Sequence, residues 1–534
     1  MARNGSSKLI FLLRLLIWAL VGGSANSLNI LGLFPYRSMS HFQMTLPITR
    51  GLAAAGHYVD VLSPFPDQHP PPRYTDYALS GKTLYNNIDL HTYEKRTYFR
   101  DLYEFFMIFS LGVSTCNQTL NSQALDNILR HAPGYYDVIL VDTESDCMTG
   151  VAYILRAPVI ALTSTALMPW HYGRMGAPII PSHMPAYFLG ESQEMSFLGR
   201  LDNFITTHTF NWLHRIFYTP AADEMLRQKF GPRMPSTNLL VKYTSLFFVN
   251  QHYSLSGPKP FPPNIIELAG IHLQRPRALP SDLKLLLESA TDGVVIISWG
   301  SLIRASSVPP TKLNAILNAI SRFKQQFIWK WENDTMPNKP KNLHIVKWLP
   351  QQDILCHPNV RAFISHGGMM GVTEAVHCGV PILGTPIYGD QFLNIASLVE
   401  RGMAVNVNYN DISEKAIYEA LKEILQKKYQ TAAKVVAFSF NERSQTPLET
   451  ALWWVEHVAN TKGARLTQPS AVRMSSFVYN SLDVYLVLAI GVLLTILIDV
   501  ALLRFMFSMK SSAAEKSQIP SDNLKSNVVE VKCN

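Results

Sequence analysis

Residues 363–391 read FISHGGMMGVTEAVHCGVPILGTPIYGDQ. The run Phe363–Ser365 is the end of a buried strand, and Ser365-His366-Gly367-Gly368 is the turn that leaves it. A helical stretch with Glu374 in its second turn follows, then a second apolar strand and a terminal Asp390-Gln391. Gly367 and Gly368 let the backbone approach a bulky anion closely and tolerate positive φ. The helix behind them presents unpaired N–H groups and a positive dipole end, which suit a pyrophosphate. His366 can donate to a phosphate oxygen, and the Glu374 carboxylate can accept both hydroxyls of a ribose. Asp390 and Gln391 offer acceptors and an amide to the hydroxyls of a hexose. Singly, a His-Gly-Gly turn or an Asp-Gln pair usually means an ordinary loop. In this order, within one short stretch, they point to a nucleoside diphosphate carrying a sugar.

The stretch resembles the signature of the UDP-glycosyltransferase family, the UDP-glucuronosyl- and UDP-glucosyltransferases that conjugate drugs and toxins in animals. It departs at Met370, where vertebrate members commonly carry an Asn that contacts the diphosphate. The Met369-Met370 pair and the GDQFLN ending look more like the insect branch. The resemblance covers nearly the whole chain. It implies an α/β fold of GT-B architecture: two Rossmann-like domains facing a cleft, plus one C-terminal transmembrane helix.

A chain of 534 residues is too long for one core and implies two domains with extras. Its 47% hydrophobic and 16% charged content excludes a disordered protein. The net charge of +8 does not signal nucleic acid, because Lys and Arg are scattered and form no basic run.

Both ends carry targeting signals. Arg3 and Lys8 precede an apolar run, Leu9–Val21, interrupted by Arg14 and followed by small residues to Ser27, the layout of a signal peptide over 1–27. Val484–Phe507 is apolar except for Asp499 and Arg504 and is long enough to cross a hydrocarbon core of about 30 Å. Lys510 and Lys516 mark a cytosolic tail over 508–534. These features predict a single-pass type I protein with its body in the lumen. The resemblance implies the endoplasmic reticulum membrane, although only Lys532 stands where relatives end in a dilysine signal. Asn117-Gln118-Thr119 and Asn333-Asp334-Thr335 are then candidate glycosylation sites. Cys116, Cys147, Cys356 and Cys378 fit no zinc spacing and read as buried thiols.

Strands alternate with helical lengths through both halves, as in doubly wound parallel sheets. The N-terminal half, 28–270, contains Leu28–Phe34, a helical stretch from Ser40 to Ala55, Tyr58–Ser63, Tyr136–Asp142 and Pro158–Thr163. A Pro-rich linker is placed at 271–290. The second half, 291–445, contains Gly293–Ser298, Phe327–Trp331, Leu343–Val346, Val360–Ser365, Val380–Thr385 and Met403–Val407. Segment 446–482 holds an amphipathic stretch, Leu448–Val458, which in the resembling family crosses back onto the N-terminal half. The aromatic- and Met-rich stretch from Trp170 to Pro235 reads equally as helical packing or as the wall of an apolar acceptor pocket.

Ligands of open α/β sheets bind beyond the carboxyl ends of strands. His41 follows the first strand in the loop FPYRSMSHF, and Asp142 closes the strand YDVILVD. A His backed by a carboxylate is the arrangement of a general base. Asp137 and Asp146 compete with Asp142 for that role. The family resemblance supports His41 and Asp142, whose positions match the relatives' catalytic pair. In the second half, Trp348 can stack on a uracil face while Gln351 reads its edge, and Ser301 can donate to a phosphate. The chain has no Asp-x-Asp, so neither metal nor other cofactor is expected, and helix dipoles with His366 would stabilise departing UDP.

The reading is therefore a membrane-anchored, inverting, metal-independent UDP-hexosyltransferase. UDP-glucose is the donor, and the acceptors are small lipophilic hydroxyl compounds: phenols, plant toxins, pigments or hormones. Homo-oligomer formation is left open. The alternatives are a transferase that glycosylates a membrane lipid, and a non-catalytic single-span binding protein on the same fold.

Overall fold

The computed structural model describes residues 27–84, 88–93 and 100–517. The predicted signal peptide up to residue 26 and the tail from residue 518 lie outside the described residues. A compact body ends at Val472, and a second unit begins at Arg473.

The body holds two parallel sheets. The first has the order β3-β2-β1-β5-β6-β7-β8. Its strands are β1 (Asn29–Leu33), β2 (Tyr58–Ser63), β3 (Tyr74–Ala78), β5 (Val138–Asp142), β6 (Val159–Thr163), β7 (Thr244–Val249) and β8 (Ile265–Glu267). The second, β12-β11-β9-β13-β14-β15, is built from β9 (Val294–Ser298), β11 (Gln326–Lys330), β12 (Leu343–Val346), β13 (Val360–Ser365), β14 (Ile382–Gly384) and β15 (Ala404–Asn406). Between the halves, β4 (Ile88–Asp89) pairs with β10 (Ile303–Arg304), and Arg304 forms an ion pair with Asp89.

Continuous apolar strands arise because helices cover both faces of each sheet. In β5, Val138 and Leu140 join one core while Ile139 and Val141 join the other. In β9, Val294 and Ile296 face one way and Val295 and Ile297 the other. Each such side chain contributes roughly 1.5–3 kcal/mol by leaving water.

Seven of the helices carry the site residues, the linker, the return segment and the apolar stretch near the end. They are α1 (Met39–Ala54), α2 (Arg100–Leu120), α3 (Ser281–Ser289), α4 (Met369–His377), α5 (Gln391–Glu400), α6 (Pro447–Asn460) and α7 (Leu482–Ser517). The stretch 271–290 is not all linker, since α3 buries Leu283 and Leu287 in the second half's core. Leucines at helical spacing outweigh the prolines before them. Helix α6 starts in a capping box: Thr446 Oγ1 accepts the Glu449 N–H at 3.2 Å, and Glu449 accepts the Thr446 N–H at 2.9 Å. It buries Ala451, Val455 and Val458 in the N-terminal half's core, and Glu456 meets His57 at 3.1 Å. Helix α7 carries a stretch, Leu482–Lys510, long and apolar enough to cross a membrane.

The cysteines correct the expectation of buried thiols. Cys116 is bonded to Cys147, and Cys356 to Cys378. The first bond ties α2 to the helix after β5, and the second ties the ends of two neighbouring helices. Packing, which spacing does not report, brings each pair within reach. Both candidate glycosylation asparagines are exposed, Asn117 on α2 and Asn333 in the loop after β11.

Candidate active site

In the first sheet the chain runs outward in one direction through β1, β2 and β3, and in the other through β5 and β6. In the second it does the same on either side of the β9–β13 pair. Such switch points leave a crevice beyond the carboxyl ends of the central strands. A cavity of about 430 Å³ lies there, lined from both halves. All the predicted catalytic and UDP-sugar-binding residues line it except Asp142 and Gly367.

On the second half's side, β13 ends at Ser365, and Gly367 turns the chain with φ of +88°. A Cβ at Gly367 would stand 2.7 Å from Ile395 and 2.9 Å from the Gln391 carbonyl oxygen. Gly368 differs from expectation: its φ is −62°, and it caps α4. A Cβ there would lie 2.4 Å from His366 Nε2, so a larger residue would displace the His366 ring. The His366 ring thus packs over the start of α4. Burial, with Lys330 nearby, pushes its pKa down to about 4, so it is a neutral donor or acceptor.

Glu374 and Gln351 are bonded to each other, Gln351 Nε2 donating to Glu374 Oε2 at 2.6 Å. Burial holds the Glu374 carboxyl up to about 7, against that bond. Trp348 is 64% exposed on the cavity rim, which excludes a core role and leaves an indole face open for stacking. Ser301 lines the cavity in the turn after β9.

Asp390 and Gln391 open α5. Burial raises the Asp390 carboxyl to about 6, partly offset by Asn394, whose Nδ2 donates to Oδ2 at 2.9 Å. Gln391 Oε1 accepts the Ile387 N–H at 2.9 Å and the Tyr388 N–H at 3.1 Å. Its oxygen therefore shapes the loop, and its amide nitrogen is the group left for a ligand, one acceptor fewer than the sequence implied.

In the N-terminal half β1 and β5 are hydrogen-bonded neighbours, so their tips do come together. His41 lies in the first turn of α1 rather than in a loop. It packs against Tyr36 with ring centroids 4.5 Å apart, and its Nδ1 has no hydrogen-bond partner. Burial pushes its pKa down to about 3, so the imidazole is neutral and able to receive a proton.

Asp142 caps the turn Thr143–Ser145, accepting the Glu144 N–H at 3.1 Å. No hydrogen bond joins it to His41 in this structure. The carboxylate has turned to the nearest backbone donor. Burial and the neighbouring Asp146 raise it to about 7. Its two competitors are occupied elsewhere. Asp137 accepts the Asn29 N–H at 2.8 Å before β5 begins, and Asp146 pairs with Arg174 at 2.8 Å.

Several lining residues escaped sequence reasoning. Met107, Ile108 and Leu111 of α2 form an apolar wall, whereas most of 197–230 is helix packed outside the cavity. Lys330, at the end of β11, donates to the Gly300 carbonyl at 2.8 Å. Glu104 and Glu144 add carboxylates. The Glu144 carboxyl is raised well above its ordinary range by burial, then by Asp142, Asp146 and Asp390. A Glu amid the apolar residues of α2 was the one readable signal, because a charge on such a face needs a partner.

A family model described as UDP-glucoronosyl and UDP-glucosyl transferase matches residues 78–517. UDP-glycosyltransferase UGT5 of Dactylopius coccus is 33% identical, with 90% of this chain and 91% of the relative covered. UDP-glucuronosyltransferase 2B17 of Rattus norvegicus is 30% identical, with 85% and 88% covered. Among solved structures, Phytolacca americana UGT2 complexed with UDP-2fluoro-glucose and pterostilbene aligns with a TM-score of 0.53 at 15% identity. That alignment covers 81% of this chain and 100% of the plant protein, and the fold is GT-B. The chain belongs to the UDP-glucuronosyl- and UDP-glucosyltransferase family and is a UDP-sugar transferase.

Proposed function

We propose that the protein transfers glucose from UDP-glucose, with inversion, to a hydroxyl of small lipophilic acceptors such as phenols, plant toxins, pigments or hormones. The observation that carries this reading is one cavity that combines a neutral His41, the Glu374 and Asp390 carboxylates, and an apolar wall from α2. Glu374 takes the ribose hydroxyls and Trp348 stacks on the uracil. Asp390 and the Gln391 amide hold the hexose. His41 takes the acceptor's proton as its oxygen attacks the anomeric carbon from the face opposite UDP, and Asp142 stabilises the imidazolium. The departing diphosphate is met by the N-terminus of α4, His366, Ser301 and Lys330, without a metal.

Glucose is favoured because the Asp390 end of the cavity is rich in carboxyl groups. Glu144 adds to Asp390 there, and the nearby Arg100 is already paired with Asp101 and Glu104. A 6-carboxylate would find no free cation there among the described residues, whereas an uncharged 6-hydroxymethyl needs none. A relative named UDP-glucosyltransferase 2, from Dactylopius coccus, is 33% identical over 89% of this chain. Turnover of 1-naphthol with UDP-glucose is expected to exceed that with UDP-glucuronate roughly tenfold or more, the effect of about 1.4 kcal/mol. Faster glucuronate transfer would sink the donor assignment and leave the fold intact.

The body is placed in the lumen of the endoplasmic reticulum, anchored by α7. In sealed microsomes the body should resist protease while the tail is clipped, and endoglycosidase should shift the wild type but not Asn117→Gln/Asn333→Gln. A protease-resistant tail would reverse the orientation.

A further inference from the structure

Helix α2 carries Glu104 into the cavity, and this carboxylate is 1% exposed. A charge buried this deeply is costly unless it is bonded. Its Oε2 accepts the N–H of Gly389 at 2.8 Å, a contact between residues 285 apart in sequence. Its Oε1 lies 3.5 Å from the Nε of Arg100, one helical turn earlier. Arg100 is itself seated: it donates to the Phe188 carbonyl at 3.2 Å, and its Cζ lies 4.0 Å from the centroid of the Phe392 ring.

Gly389 immediately precedes Asp390, so this bond fixes the peptide next to the hexose-reading pair. Three side chains hold the loop 387–391. Gln391 binds the amides of Ile387 and Tyr388, and Asn394 binds the Asp390 carboxylate. Glu104 binds the next amide, that of Gly389, and it alone of the three comes from the opposite half of the body.

We propose that Glu104, seated by Arg100, is a positioning residue that shapes the 387–391 loop for the hexose from across the cleft. The loop then takes its working form only while the half that carries His41 is closed on it. Donor sugar and acceptor base are thereby presented together. The inference rests on the reading that Asp390 and Gln391 hold the hexose.

The test uses the full chain in membranes and compares Glu104→Ala, Glu104→Gln and Asp390→Ala with wild type. The readouts are kcat/KM for UDP-glucose and the inhibition constant of UDP, which lacks the hexose. Glu104→Ala is expected to lower kcat/KM by roughly 10- to 100-fold, the scale of one bond to a charged acceptor, with UDP inhibition changed less than about twofold. Glu104→Gln, which keeps an accepting oxygen, should recover most of the loss. Wild-type kcat/KM in Glu104→Ala would overturn the proposal. So would a parallel loss of UDP inhibition in both Glu104 variants, which would mean only that the fold is damaged. Asp390→Ala separates the two levels. If it keeps full activity, the hexose reading of the loop fails; if it loses activity while Glu104→Ala does not, only the present inference fails.

Discussion

Replacing His41 by alanine is expected to lower turnover by roughly 10²- to 10⁴-fold, with UDP-glucose affinity nearly unchanged. The imidazole lines the cavity from α1, whereas the residues proposed to hold UDP belong to the other half. Its removal therefore takes away proton transfer and little binding. With a pKa near 3, His41 stays unprotonated across the working range, yet it is a weak base by itself. Asp142 must supply the counter-charge once the acceptor is bound, exchanging its present bond to the Glu144 N–H for one to the ring. Hydrogen bonds of this kind commonly tighten only in the substrate complex. Asp142→Asn should thus cost as much as His41→Ala or less. Since burial holds Asp142 up to about 7, activity should fall as pH drops through that value and the carboxylate is neutralised. Single-turnover rates for both variants check this, and wild-type turnover in His41→Ala would remove the base assignment.

Glu374→Ala is expected to raise KM for UDP-glucose about 10²-fold, because two ribose hydroxyls lose a charged acceptor and Gln351 loses its partner. The sign of the pH dependence follows from burial, which raises the carboxyl to about 7. The ionised form accepts ribose more strongly, so KM should climb as pH falls from about 8 to about 6. Glu374→Gln should flatten the part of that slope that Glu374 supplies, while Asp390, raised to about 6, still contributes at the acid end. Initial-rate KM measurements at the two pH values decide it. An unchanged KM in Glu374→Ala would show that the ribose is held elsewhere.

Much of this protein was legible because its strands are short-range objects. Tyr58–Ser63, Leu343–Val346 and Val360–Ser365 form as read, since a buried parallel strand is an apolar run with turn residues at its ends. The His-Gly-Gly turn, α4 and the Asp-Gln pair are contiguous, so their order alone pointed to residues that line the cleft cavity. The strands Tyr74–Ala78, Thr244–Val249 and Ile265–Glu267 were missed. Tyr74–Ala78 and Ile265–Glu267 are short or half-exposed edge strands with little pattern of their own, whereas Thr244–Val249 is a fully buried apolar run that could have been read.

The sequence by itself determined the two α/β halves, the amphipathic helix before the membrane-length segment, that segment and the His-Gly-Gly turn, because each is a local pattern of period, turn or length. Only the tertiary structure decided what joins residues far apart in the chain. It paired Cys116 with Cys147 and Cys356 with Cys378, where spacing alone pointed to free thiols. It gave Asp142 to a backbone amide instead of His41, and it spent the Gln391 oxygen on its own loop. It also set Glu104 against Gly389. A polar group's partner is the nearest unpaired donor once the chain has folded, and nothing in a linear pattern measures that distance.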